Sequence, residues 1–101
     1  MARFDVYKFS EGTPYIVDVQ ADLHSELATC AFVPFVPETQ AQKEFLPKLN
    51  PKITFEGMEH VFITTQLASI PRSALGDKVG NLENEHRQTI LDALDFLFQG
   101  F

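Results

Sequence analysis

The stretch ENEHRQTILDALDFLFQGF, residues 83–101, decides the fold, because it carries the one long run of helical periodicity in this 101-residue sequence. At about 100° per residue, Ile90, Leu91, Ala93, Leu94, Leu97, Phe98 and Phe101 fall on one broad arc, the width of a core-facing stripe. Gln88, Asp92, Asp95 and Gln99 line up opposite, within roughly 60° of one another, and Phe96 projects beside them outside the apolar arc. One face is therefore committed to packing, and the other is acidic and amide-rich with an aromatic on its flank. Asp92 and Asp95 lie near the helix C-terminus, where the macrodipole disfavours negative charge by about 0.3–1 kcal/mol each. Glu83 and Glu85, at the other end, are favourably placed. Such a face reads either as a solvated surface that tolerates a small penalty or as a ridge that binds a partner.

Upstream, the periodicity switches from helix to strand. Residues 3–9 (RFDVYKF) alternate, with Phe4 and Val6 on one side and Tyr7 and Phe9 on the other, which predicts a strand covered in part on both faces. The turn chemistry of Ser10-Glu11-Gly12-Thr13-Pro14 joins it to residues 15–20 (YIVDVQ) as a hairpin. Residues 21–27 read as a connection and residues 29–35 (TCAFVPF) as a third strand. Pro34 and Pro37 cannot donate to a ladder, so this strand is expected to run out at a sheet edge. Residues 38–50 read as a loop with a short helix, Thr39 and Gln42 offering a capping box. Residues 52–56 and 59–65, around a tight corner at Glu56-Gly57-Met58, make a second hairpin. Residues 67–71 continue as a short strand or turn, and 73–80 as a glycine-bounded crossover. Asn81 and Asn84 both suit the N-cap of the final helix. The expected class is mainly β (α+β): a small barrel or curled sheet of antiparallel strands with one C-terminal helix packed across it, in a single domain over residues 1–101.

Composition narrows the function. Ten Phe and two Tyr supply much of the volume of a small core, and 45% of the residues are hydrophobic. No apolar run approaches a membrane span, and Met1 is followed by Ala2-Arg3-Phe4-Asp5 rather than by an apolar leader, so the expectation is a soluble, cytoplasmic protein. Cys30, the one cysteine, cannot form an intramolecular disulfide. Eight basic residues against fourteen acidic ones leave a formal charge of −6, without the basic footprint that nucleic-acid phosphates require. A protein partner is the better expectation, with neither direct nucleic-acid nor membrane contact.

No constellation points to catalysis or a cofactor. His24, His60 and His86 lack metal-ligand spacing, and Asp18 and Asp22 straddle a strand end rather than sharing a helix face. Asp18 is expected to bond a neighbouring strand's backbone N–H, and Asp22 to sit in a turn. Ser69 lacks the glycines of a nucleophile elbow, and Gly76 and Gly80 lack the strand-then-helix context of a phosphate loop.

Three blocks in one order carry a resemblance: Ile16-Val17-Asp18-Val19-Gln20-Ala21-Asp22, then Ile63-Thr64-Thr65-Gln66-Leu67-Ala68-Ser69-Ile70-Pro71, then the helix from Ile90 ending Phe-Gln-Gly-Phe. With residues 3–8, they resemble the CcdB toxins of toxin–antitoxin modules over essentially the whole chain. That resemblance implies a homodimer of SH3-like barrels, each with a C-terminal helix, and an activity that is not enzymatic. It implies binding to the A subunit of DNA gyrase, trapping of the enzyme on cut DNA, and relief by a CcdA-like antitoxin with a disordered tail. The family's gyrase-binding surface is the helix end, here Gln99, Gly100 and Phe101. Asp92, Asp95 and Phe98 surround it, and Leu23 and His24 match a neighbouring loop of the same surface. Gln99 is a departure, an amide where the best-known members carry Trp. Two competing readings are a ribonuclease of the MazF type, which shares the fold but calls for a basic groove, and a non-toxic dimer that engages only an antitoxin.

Overall fold

The computed structural model describes residues 2–9, 14–20, 27–41 and 46–100. Among them are seven strands: β1 (Asp5–Lys8), β2 (Tyr15–Asp18), β3 (Thr29–Pro37), β4 (Lys52–Phe55), β5 (Met58–Phe62), β6 (Ala68–Pro71) and β7 (Lys78–Asn81). A single helix, α1 (Glu83–Gln99), follows them. The strands form one antiparallel sheet in the order β4-β5-β3-β2-β1-β7, with β6 paired to β3 off that path. The sheet curls into a half-barrel and the helix lies against its concave core, which is the class the alternating strands and terminal amphipathic run predict.

Both faces of the first hairpin are covered, as its alternation requires. Phe4, Val6, Val17 and Val19 join Val33, Phe35, Ile53, Phe55 and Phe62 in the main core, and Leu82, Ile90 and Leu94 close it from the helix side. On the reverse face Tyr7, Ile16, Cys30 and Phe32 make a smaller cluster, against which Phe9, Ile70 and Leu75 pack. The corner between β4 and β5 has Glu56 at φ 53° and Gly57 at φ 76°, a two-residue connection with both central residues left-handed, as strand twist favours.

Four expectations need correction. Strand β3 is not an edge strand: it pairs β2 along one side, and β6 followed by β5 along the other. Pro34 is tolerated because it falls between Phe32, the last residue paired to β6, and Phe35, the first paired to β5. Its carbonyl there accepts from the Ile63 N–H at 3.0 Å. The crossover at 73–80 contains β7, which pairs β1 through Asp5↔Asn81 and Val6↔Gly80. Its short KVGN sequence lacks the apolar alternation that marks a strand. Thr39 lies inside a 3-10 turn, Glu38–Gln40, that has no side-chain cap, while Gln42 lies outside the described residues. Leu82 holds the N-cap position of α1, and Asn81 performs the capping from one residue earlier, its Oδ1 accepting the Glu83 N–H at 2.7 Å.

Two buried carboxylates behave oppositely. Asp5 is 1% exposed and accepts from Asn81 Nδ2 (2.8 Å), the Ala2 N–H (2.8 Å) and Tyr7 Oη (3.3 Å), with Lys78 Nζ 3.3 Å away. Burial opposes its charge, but these donors together hold its carboxyl below the ordinary value of 3.8. At Asp18 burial wins, and its carboxyl is raised despite bonds from the Cys30 thiol and the Gln20 N–H. Those two partners replace the neighbouring-strand amide expected from the sequence.

This packing can be checked by substitution. Gly80→Ala places a Cβ 2.8 Å from the Phe55 ring, whereas at Gly57 a Cβ meets nothing within 4 Å and only the left-handed backbone resists. Urea denaturation should therefore show a loss of about 1–2 kcal/mol for Gly57→Ala and about 1–3 kcal/mol for Gly80→Ala, and Phe55→Leu should rescue only the latter. For the carboxylates, Asp5→Asn should destabilise by about 2 kcal/mol at neutral pH. A depressed folded pKa gives stability that is full above the unfolded value and is lost as pH falls through the folded one. The gap between wild type and Asp5→Asn should thus close below pH 3.8. Asp18→Asn should show the opposite sign, relieving the chain at neutral pH and converging with wild type as pH falls and the wild-type carboxyl takes up its proton.

Candidate functional site

Two regions carry polar groups in unusual settings. The first is the buried cluster of Asp5, Tyr7, Asp18 and Cys30 on the reverse face of the sheet. Burial, reinforced by the Asp5 charge, pushes the Tyr7 phenol up to about 12, and burial with the Asp18 hydrogen bond pushes the Cys30 thiol up to about 11. Both stay protonated near neutrality, so neither is an activated nucleophile. His60 is buried too, its ring stacked on Phe35 at 4.9 Å and its Nδ1 donating to the Met58 carbonyl at 2.9 Å. Among the described residues no three His, Cys, Asp or Glu side chains group as metal ligands.

The second region is the end of α1. Ile90, Ala93 and Leu94 are buried, Leu91 and Leu97 are half-buried, and Phe98 is 71% exposed. Phe98 therefore does not share the packing role that its position on the helical wheel assigned to it. Wheel angle predicts burial only where a neighbour is present, and the core cluster reaches no farther along the helix than Leu94. Asp92, Asp95 and Gln99 are exposed as expected. Steps of three and four residues make Asp92, Asp95, Phe98 and Gln99 one continuous stripe. Asp92 is held in place by Gln88, whose Nε2 donates to Oδ1 at 2.7 Å, and the last turn contains no basic residue to offset the carboxylates. Gly100 closes the helix at φ 78°, its N–H donating to the Phe96 carbonyl at 2.9 Å. Leu23, His24, Asp22 and Phe101 lie outside the described residues.

Sequence reasoning placed Phe96 on the flank of this stripe but missed what faces it. A cleft of about 400 Å³ separates α1 from the turn that runs from Pro47 to Pro51, with Thr89, Asp92, Asp95 and Phe96 on its helix side. Lys48 reaches across it, placing Nζ 5.6 Å from the centroid of the half-buried Phe96 ring. The PKLNP spacing was the only signal, since two prolines four residues apart dictate a turn but not what it docks against.

The sequence profile of one protein family, described as CcdB protein, matches residues 3–100. No curated protein matches the sequence. Among solved structures, the chain is similar to an endoribonuclease in complex with its cognate antitoxin from a Mycobacterial species, at TM-score 0.78 and 16% identity over 97% of this chain and 94% of that one. A second endoribonuclease from a Mycobacterial species is similar at TM-score 0.74 and 16% identity, over 97% and 90% of the two chains. At such identity the likeness carries the fold alone.

Gly100→Ala tests the helix terminus. A Cβ added there would meet nothing within 4 Å, so the only cost is the left-handed φ, about 1–2 kcal/mol, confined to the last turn. Amide exchange at Leu97 to Gln99 should quicken several-fold while the midpoint of global unfolding barely moves.

Proposed function

The chain belongs to the CcdB family, and on that premise we propose that it is the toxin of a toxin–antitoxin module that binds the A subunit of DNA gyrase and traps the cleaved complex. The observation that carries this reading is the exposed stripe of Asp92, Asp95, Phe98 and Gln99, ending in Gly100, on a helix whose preceding turns are locked into the core. A large exposed aromatic beside carboxylates, of which Asp92 is oriented by Gln88, has the character of an interface anchor, and a helix packed into the core limits the ordering entropy that association must overcome. Homodimer formation would present two such ends about a two-fold axis, suited to a target that is itself symmetric. Phe98 supplies aromatic area one position from Gln99, where the best-known family members carry Trp. Phe101, Leu23 and His24 complete the proposed contact surface. A CcdA-like antitoxin is the partner expected to relieve the activity.

The likeness to endoribonucleases favours a second reading, RNA cleavage on the same fold. The charge of −6 and the protonated state of the buried Cys30 and Tyr7 weigh against it. Induced expression in a gyrase-sensitive bacterium separates the two: trapped cleaved DNA supports gyrase poisoning, and cleaved RNA with intact DNA overturns it. Deletion of residues 99–101, or Phe98→Ala with Asp95→Ala, should leave the circular dichroism spectrum unchanged. The same changes should weaken binding to a gyrase A fragment by about thirtyfold or more. Toxicity that survives the deletion would show that the site lies elsewhere.

A further inference from the structure

The cleft beside α1 divides by chemistry. Pro47, Pro51 and the Phe96 ring give it apolar walls, while Asp92 and Asp95 give it two carboxylates. It also holds a cation of the chain's own, the Lys48 ammonium, over the face of Phe96. At 5.6 Å from the ring centroid this contact is near the outer limit of a useful cation–π interaction. Among the described residues Lys48 forms no ion pair with either carboxylate. The cleft therefore accepts a cation without satisfying it: one positive charge faces two negative ones, and the ammonium touches the ring but not the acids.

We propose that this cleft is the seat of an arginine side chain from the protein partner that meets the helix end, and that Lys48 is the internal cation this side chain displaces. The inference rests on the reading of the helix end as a protein-binding surface. A guanidinium is planar, stacks on an aromatic face and donates along its edge, so one side chain can cover Phe96 and bond Asp92 or Asp95 together. The ammonium of Lys48, a compact point charge on a tether fixed between Pro47 and Pro51, meets only the ring. Gln88 already orients the Asp92 carboxylate through Oδ1, leaving its second oxygen to an incoming donor. An external cation here also offsets the unfavourable placement of two acids near the negative end of the helix, which has no basic residue in its last turn.

The test uses the full-length protein and N-acetyl-argininamide as the probe, followed by NMR chemical-shift titration. Saturable shifts are expected at Asp92, Asp95 and Phe96 and not at Glu83 or Glu85 at the far end of the helix, with N-acetyl-glutaminamide inert. Lys48→Met should bind the probe about two- to fivefold more tightly, because the competitor is gone. Lys52→Met, which removes the same charge where it pairs with Glu38, should not. Asp92→Asn with Asp95→Asn should abolish saturation. The proposal is overturned by unsaturable shifts spread over all acidic positions, or by equal affinity in Lys48→Met and wild type. Because no gyrase is present, such a failure leaves the gyrase reading standing. A protein that seats the probe yet traps no gyrase overturns that reading and keeps the cleft.

Discussion

The structure depends on what β3 does at its midpoint. A nine-residue strand with neighbours on both sides is the natural spine of a sheet, yet this one must serve two partners in succession along a single edge. The change of partner leaves a position where no ladder bond is donated, and Pro34, which has no N–H, occupies it without loss. Because β5 takes over from β6 there, the sheet curls instead of extending flat. Phe32 then faces the reverse cluster, while Val33 and Phe35 face the main core. The concavity that receives the helix follows from this hand-over.

The helix is aimed by a second constraint, at the start of the chain. Phe4 adopts φ 70°, a left-handed conformation that costs a residue other than glycine about 1–2 kcal/mol. Its ring is fully buried, which contributes about 2–3 kcal/mol in return. Its backbone is used on both sides: the N–H donates to the Asp18 carbonyl at 2.6 Å, and the carbonyl accepts from Leu82 at 3.0 Å. Asn81 bonds Asp5 and the Arg3 carbonyl while capping Glu83, and Arg87, itself paired with Glu83, lies over the Phe4 ring at 5.9 Å. The first turn of α1 is thus fastened to β1, which fixes where its last turn emerges.

Much of this was legible in the residues. Period-two alternation placed Val6 and Tyr7 of β1 on opposite faces, both of them covered, Glu56-Gly57 marked the corner between β4 and β5, and the period of 3.6 marked α1. What escaped were properties that no local pattern encodes. The two prolines of β3 argued for an edge because the rule about missing donors knows nothing of a change of partner. Strand β7 was invisible because Gly80 is there to admit the Phe55 ring, a long-range demand that removed the side chain a strand pattern would need. The site divides in the same way. The exposure of Asp92, Asp95 and Gln99 follows from helical geometry alone, whereas that of Phe98 depends on where the core ends and the cleft at Phe96 on where the 47–51 turn docks.

Along α1, stability and exposed chemistry are separated in space. Leu82, Ile90, Ala93 and Leu94 supply the burial that holds the helix, and all lie before its last turn. Beyond them the chain places the Asp95 carboxylate against the dipole and leaves Phe98 in water, choices that a segment selected for stability alone would avoid. The penalties are small because the buried core cluster ends at Leu94, before the last turn begins. A surface that contributes almost nothing to folding can be altered residue by residue without unfolding the protein. Gln99, exposed past the last buried residue of the helix, is such a position: its identity is open to change because the fold has no stake in it.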